Sequence, residues 1–414
     1  MIQFWLALDC GTTGIKVALM DADGRTLRSA YRSYPTHVEE GGIAEQDAND
    51  WWLASVEAIH ELDAQEAEAV AITGQMQDII LVNANGSLTR PVILYSDTRA
   101  YSEAAEINRK IGADRICQLT GNHQGADSLL AKLLWLERHE SDSLHKSHHL
   151  LLGAADYIAL QMTGQAVTDT TTASTTGLLN IQSRQAHSSD IFMEMGLPEI
   201  SHLFPVMQAG GMQVGTIVPE VAEQLGLRAN IPVFHGPGDA GATTLGVGSG
   251  EIGRPYAYLG TSGWVAFTSS RQADPQSGVF TLVHPQMERY ICIAPILTAG
   301  GNLEWIRGIF GEADVGEMVH KALNTPPSNL LYLPYLNGER SPFNDPFARG
   351  AFIGLQANHT RNELCRAVLE GVAFAYRHAL DTLVTDLVEG LNLTGGGSHS
   401  PEWCQLIATI IGVP

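Results

Sequence analysis

A single carboxylate, Asp239, stands among glycines in His235-Gly236-Pro237-Gly238-Asp239-Ala240-Gly241. An apolar run, Ile231 to Phe234, leads into it, and a small-residue segment, Ala240 to Gly250, follows. Glycines let a chain turn sharply and let a ligand approach the backbone. A carboxylate at such a turn suits proton transfer with a hydroxyl that reaches it. The same residues would serve as a turn whose Asp caps the next helix. Gly236-x-Gly238-x-x-Gly241 also matches a dinucleotide fingerprint, which requires an acid ~20 positions later. That region reads Tyr258-Leu259-Gly260-Thr261-Ser262-Gly263, without one.

Asp9-Cys10-Gly11-Thr12-Thr13-Gly14 offers a second chemistry. Successive backbone N–H groups and two hydroxyls can surround a phosphate oxygen. An Asp beside them can hold magnesium, often through water, and Lys16 adds charge. The Gly-Lys-Ser/Thr ending of a Walker loop is absent, and a plain hairpin remains an equal alternative. Gly260-Thr261-Ser262-Gly263 repeats the device, again between two apolar runs, Tyr256 to Leu259 and Trp264 to Thr268. The repeat points to two similar domains facing one nucleotide. Thr298-Ala299-Gly300-Gly301-Asn302 opens a helix, where small residues form an anion site. Gly395-Gly396-Gly397 follows an apolar run and permits close approach of a flat ligand. Gly74-Gln75-Met76-Gln77-Asp78 and Ser96-Asp97-Thr98-Arg99 are polar clusters past expected strands, where α/β proteins bind ligands. Gln75, Gln77 and Asp78 could hydrogen-bond a polyol or be solvated turn residues. Asp97 and Arg99 could form a surface ion pair.

These groups need elements to hold them. Apolar runs predict strands over Phe4 to Leu8, Ile15 to Met20, Arg25 to Tyr31, Ala69 to Thr73, Ile79 to Val82, Pro91 to Tyr95 and Leu330 to Tyr335. A helix follows Glu45-Gln46-Asp47, with Asn49 or Asp50 as its cap. Others are expected at Ser102 to Ile111, Ser128 to His139, Val218 to Leu225 and Pro401 to Ile411. Thr360-x-x-Glu363 is a capping box that starts a long helix whose stripe runs from Leu364 to Leu387. Three histidines between His145 and His149 read as surface. The Thr-rich run Thr168 to Thr176 reads as a loop or a cleft wall.

The chain of 414 residues is long enough for about two domains. A hydrophobic content of 44% with 17% charged residues describes a globular protein. The net charge of −21 argues against nucleic acid, which needs clustered Lys and Arg. Five scattered cysteines without C-x-x-C spacing suit a reducing cytoplasm and give no zinc site. No secretory signal or membrane span is visible.

The ordered motifs resemble the FGGY carbohydrate kinase family and, within it, the xylulokinase group. They are Asp9 to Lys16, Gly74-Gln75-Met76, Ser96 to Arg99, Gly238 to Gly241, Gly260 to Gly263, Gly338-Glu339-Arg340-Ser341-Pro342 and Gly395-Gly396-Gly397. The resemblance implies an α/β fold of two ribonuclease H-like (actin-like ATPase) domains with a central cleft. Residues 1–243 would form the sugar-binding domain and 244–414 the ATP-binding domain. It implies transfer of the γ-phosphate of ATP to a ketopentose, with Asp239 as general base and Asp9 positioning Mg2+. Gln75, Met76, Gln77 and Asp97 would lie against the sugar. Thr12, Thr13, Lys16, Gly260, Thr261, Gly300 and Gly301 would serve the phosphates, and Gly396 and Gly397 the adenosine. The expected partners are sugar, ATP and, in a homodimer, a second copy. Two positions depart from the group: Gln77 replaces a usual His, and Ser96 a usual Asn. Such kinases also continue past Gly412-Val413-Pro414 with a strand and helix, so the second domain is expected to be incomplete there.

Overall fold

Phe4-Trp5-Leu6-Ala7-Leu8-Asp9-Cys10 alternates half-buried with buried positions along β1 (Phe4–Cys10), the pattern of a strand packed on one side. Gly11 to Thr13 turn it back into β2 (Gly14–Asp21), and β3 (Thr26–Ser33) completes an antiparallel meander. The computed structural model describes residues 3–197, 200–312, 314–343, 345, 347–383 and 389–414. Two units divide the chain: Met1–Thr243 with Leu282–Met287, and Thr244–Thr281 with Glu288–Pro414.

In the first unit, helix α1 (Ala48–Leu62) places Trp51, Ala54, Ser55, Ala58, Ile59 and Leu62 on one buried face. Its cap is Asp47, whose carboxylate accepts from Asn49 N at 2.9 Å, rather than the expected Asn49 or Asp50. Strands β4 (Ala69–Gly74) and β5 (Met76–Val82) follow almost without a break. Strand β6 (His149–Gly153) pairs with β5 and leads into α2 (Ala154–Thr163). The histidine-rich stretch read as surface thus ends in a strand. The Thr-rich run is also ordered: Val167–Asp169 is a strand and α3 (Thr170–Thr175) a short helix capped by Asp169. Strand β7 (Met212–Thr216) and β8 (Pro232–His235) precede α4 (Asp239–Gly246).

The main sheet of this unit runs β7-β8-β4-β1-β2-β3. Strand β4 lies parallel to both β1 and β8. Leu6, Leu8, Val17, Trp51, Ile59, Ile72, Tyr157 and Val233 are among its fully or almost fully buried core residues.

The second unit repeats the plan. Strands β9 (Tyr256–Leu259) and β10 (Gly263–Ser269) are antiparallel, and β11 (Phe280–Val283) precedes β12 (Tyr290–Ile296), which pairs antiparallel with β10. Helix α5 (Gly300–Phe310) comes next, then the long α6 (Arg361–Leu383). The capping box forms as expected: Thr360 N donates to Glu363 Oε2 at 2.7 Å. Leu387, at the end of the expected stripe, lies outside the described residues. Strand β13 (Asn392–Thr394) pairs parallel with β9, and α7 (Pro401–Ile411) follows. The sheet order is β11-β12-β10-β9-β13. The meander β9-β10-β12 with parallel β13 matches β1-β2-β3 with parallel β4. Its core gathers Leu259, Val265, Ile296, Val368, Tyr376 and Trp403.

Candidate functional site

The first Gly-Thr turn is held by its carbonyls. Gly11 N donates to Gly14 O at 3.1 Å, closing the turn. Tyr34 OH donates to Gly11 O, Gln46 Nε2 to Thr12 O at 2.7 Å, and Tyr31 OH to Thr13 O at 3.1 Å. With three successive carbonyls drawn into protein contacts, the N–H groups of Thr12 and Thr13 bond to no protein acceptor among the described residues. Two adjacent free amides beside two hydroxyls form a nest for an anion. Lys16, exposed on β2, stands across from Asp9 in the pairing register. Burial raises the Asp9 carboxyl above its ordinary value, and the Lys16 charge works against that rise.

Parallel pairing brings the remaining groups to the same sheet end. Cys10 aligns with Gly74, and His235 with Ile72. The loops after β1, β4 and β8 therefore leave adjacent strand ends, where α/β sheets bind ligands. Gly236 N donates to Ile72 O at 2.7 Å, and Thr73 Oγ1 to Pro237 O at 2.7 Å. A Cβ on Gly238 would strike the Met76 side chain and Thr172 Oγ1, so glycine is required for the loop to pass. Asp239 opens α4 and accepts from Ala240 N at 2.7 Å. The residue is exposed, yet its carboxyl is desolvated by the protein around it. That desolvation pushes the carboxyl up to about 7; the Ala240 N–H opposes the rise, and the charges of Asp9 and Asp169 add to it. A carboxyl poised there is matched to proton transfer near neutrality.

Gln75 to Asp78 border this loop. Met76 touches it as described. Gln77 has φ +67° inside a strand whose pairing is irregular between Met76 and Ile80, a bulge that re-aims side chains. Its Nε2 donates to Thr175 O at 3.1 Å. Gln75 is buried; its Nε2 donates to Gln46 Oε1 at 3.2 Å, and its Oε1 has no protein partner. Asp78 is fully buried, accepts from Tyr95 N at 3.0 Å and is held well above the ordinary carboxyl range, chiefly by desolvation.

Asp97 differs from its expected role. It is 0% exposed and spent within the protein. Its Oδ2 accepts from Ala44 N and Arg99 Nη2, both at 2.7 Å, and its Oδ1 from Arg99 N and Nε, both at 3.0 Å. Arg99 bonds Glu45 as well, at 2.6 Å. The cluster is a buried ionic brace, not the surface pair its sequence permits, and it leaves Asp97 no oxygen for a sugar.

In the second unit, Gly260 N donates to Ser262 O at 3.0 Å. Ala299 N and Gly301 N donate to Thr261 O, both at 2.9 Å, and Gly300 N to Gly260 O at 2.8 Å. The amides of Thr261 and Ser262 bond to no protein acceptor among the described residues. The turn closes one residue tighter than the first, and a helix start grips its carbonyls. The expectation that Gly300 and Gly301 meet phosphate directly is corrected: their amides are committed to the turn. Their lack of side chains permits the grip, since a Cβ on Gly300 would sit 2.6 Å from Gly260 O. Buried Asn302 secures the helix start, donating to Thr298 O at 2.7 Å and accepting from Tyr332 OH at 2.8 Å. Glu339, buried, accepts from Leu297 N at 3.1 Å and ties its loop to the end of β12. Gly397 packs on the Leu259 side chain, whereas Gly396 has open space where a Cβ would stand.

Among the described residues, no group of three or more His, Cys, Asp or Glu could hold a metal. A hard cation held mainly by water and phosphate oxygens needs few protein donors, and Asp9, on the strand that enters the first Gly-Thr turn, is a carboxylate beside it. Sequence reasoning missed Gln46, which bonds Thr12 O, Thr36 Oγ1, Trp51 Nε1 and Gln75 Nε2. It also missed the buried Asp156–His235 pair. No local signal marks either, because their partners are distant in sequence.

Comparison with known proteins agrees with this geometry. Residues 4–246 match the N-terminal domain, and residues 256–414 the C-terminal domain, of the FGGY family of carbohydrate kinases. The chain is 32% identical over 418 residues to a xylulose kinase of Escherichia coli (strain K12), covering 99% of this chain and 85% of that one. It is similar to the crystal structure of ligand-bound xylulose kinase from Lactobacillus acidophilus, with TM-score 0.91 and 27% identity over 99% of this chain and 84% of that one. A gluconate kinase from the same organism gives TM-score 0.91 and 28% identity, covering 100% and 85%. The fold is thus the two-domain, actin-like ATPase fold of these kinases. Among the described residues no helix is long and apolar enough to cross a membrane.

Proposed function

The chain belongs to the FGGY family of carbohydrate kinases, hence to the ATP-dependent sugar kinases, and from that premise we propose that it phosphorylates D-xylulose to D-xylulose 5-phosphate, with Asp239 as the base. The observation that carries the reading is Asp239 itself. It is exposed, raised to about 7 and in the field of Asp9, and it follows Gly238, whose backbone lies against Met76. The attacking hydroxyl loses its proton to Asp239 as its oxygen bonds the γ-phosphorus and the bond to ADP breaks. Such transfer depends on positioning and charge neutralisation more than on covalent chemistry by the protein. Thr12 and Thr13 donate to phosphate oxygens through free amides, and Thr261 carries a free amide of the same kind. Lys16 adds a positive charge near Asp9. Asp9 would hold Mg2+ through water, and the ion when bound would neutralise phosphate charge. Gly396 leaves room for the adenosine. Gln75, Met76 and Gln77 contact the sugar; Asp97 acts behind them.

ADP release with a panel of D-xylulose, D-ribulose, glycerol and gluconate tests the substrate. D-xylulose is expected to give the highest kcat/KM by about tenfold or more. Preference for gluconate would assign the chain to the other activity named among its structural neighbours.

A further inference from the structure

His235 is the last residue of β8, four positions before Asp239, and 0% exposed. Both of its ring nitrogens face acceptors. Nε2 lies 2.8 Å from Asp156 Oδ1, and Nδ1 lies 2.7 Å from Gly236 O. A carbonyl oxygen can only accept, so Nδ1 carries a proton. Asp156 Oδ2 accepts from Leu152 N at 2.8 Å, which leaves Oδ1 facing Nε2. The ring is thus held at both nitrogens, between α2 and the first carbonyl of the loop that carries Asp239.

The neighbours share this logic. The charged groups facing the ring are Asp156 from α2 and Asp169 at the cap of α3, with Asp239 following on α4. Asp169 is fully buried; it accepts from Thr171 N at 2.8 Å, Thr172 N at 3.0 Å and Thr172 Oγ1 at 2.5 Å. Thr172 in turn abuts Gly238. The loop is thus gripped at Gly236 by His235 and at Gly238 by the Asp169–Thr172 cap. Asp9 and Asp169 oppose the anion that Asp239 must become, and Asp169 also faces the His235 ring.

We propose that His235 is a positioning residue for phosphoryl transfer: a protonated imidazolium that fixes the Gly236 carbonyl and so sets the direction of Asp239. The proposal rests on Asp239 being the base. Burial alone would lower the ring's proton affinity, but the hydrogen bond and charge of Asp156, then the charge of Asp169, lift it to about 9. A folded-state value above the free value of 6.5 means stability fully present below 6.5 and lost as pH rises through about 9. An alkaline limit on turnover follows, separate from any acid limit set by Asp239.

The test uses the full chain. Nitrogen-15 NMR of histidine-labelled wild-type protein is expected to show one imidazole with both nitrogens protonated from about pH 6 to 8, without titration. A neutral ring at His235 in that range would overturn the proposal, whatever the sugar. Asp156→Asn is expected to move the alkaline limb of kcat down by about one pH unit or more; an unmoved limb would contradict the assignment. His235→Gln, folded by circular dichroism, should lower kcat by about tenfold or more with sugar KM within about twofold. Unchanged kcat in that variant would make the pair a stability device only. Turnover that survives in Asp239→Asn would instead sink the underlying reading, leaving the NMR result standing.

Discussion

The two Gly-Thr turns have their carbonyls held by different means. In the first unit, side chains hold the carbonyls: Tyr34 on Gly11, Gln46 on Thr12 and Tyr31 on Thr13. In the second, the start of α5 does so with main-chain amides of Ala299, Gly300 and Gly301. Each leaves two middle amides free. The difference predicts how each breaks. A side-chain clamp fails one bond at a time, and each loss is graded. A main-chain clamp depends on two backbones touching, so one added methyl group forces them apart.

The largest effect is therefore expected in the second unit. Gly300→Val places a Cβ 2.6 Å from Gly260 O, and nothing flexible can yield. ATP affinity, measured by calorimetry, should fall by about tenfold or more, while sugar binding changes little. Gln46→Leu comes next. It strips the partners of Thr12 O and Trp51 Nε1, the latter on a fully buried ring, and frees Gln75. A loss of about 2–3 kcal/mol in urea unfolding is expected, with a raised KM for both substrates. Tyr34→Phe removes the bond to Gly11 O and a weaker contact with Cys10 Sγ and should cost about 1 kcal/mol with a modest rise in ATP KM. Thr12→Val removes a long contact to Tyr95 OH, 3.4 Å, and is expected to leave stability within about 0.5 kcal/mol. If Tyr34→Phe cost more ATP affinity than Gly300→Val, the contrast between the clamps would be wrong.

The turns themselves were legible because their chemistry is local. Gly-Thr-[Thr/Ser]-Gly between apolar runs specifies its own backbone, and so does the Thr360–Glu363 box. The glycine turn that leads into Asp239 was legible for the same reason. What holds these motifs was not. Gln46 looks like one more polar residue before a helix, and only the fold brings it to Thr12, Trp51 and Gln75. Asp97 was misjudged since a polar cluster after a strand reads alike whether solvated or buried; the Glu45–Arg99 brace decides it. Gly300 and Gly301 read as an anion site by composition, yet their amides found nearer acceptors in Gly260 and Thr261. The strand His149–Gly153 was hidden by the histidines before it, and the Asp169 cap by a run of threonines suited to loops.

The central claim is that Asp239 takes the proton from the sugar. Its direct measurement is the pH dependence of kcat/KM for D-xylulose in the wild type, set beside Asp239→Asn. A carboxyl raised to about 7 must be ionised to act, so kcat/KM should fall tenfold per unit below about pH 7. The variant should lose turnover by about a thousandfold or more while binding ATP normally. A wild-type profile flat to about pH 5, with near-normal turnover in the variant, would contradict the account.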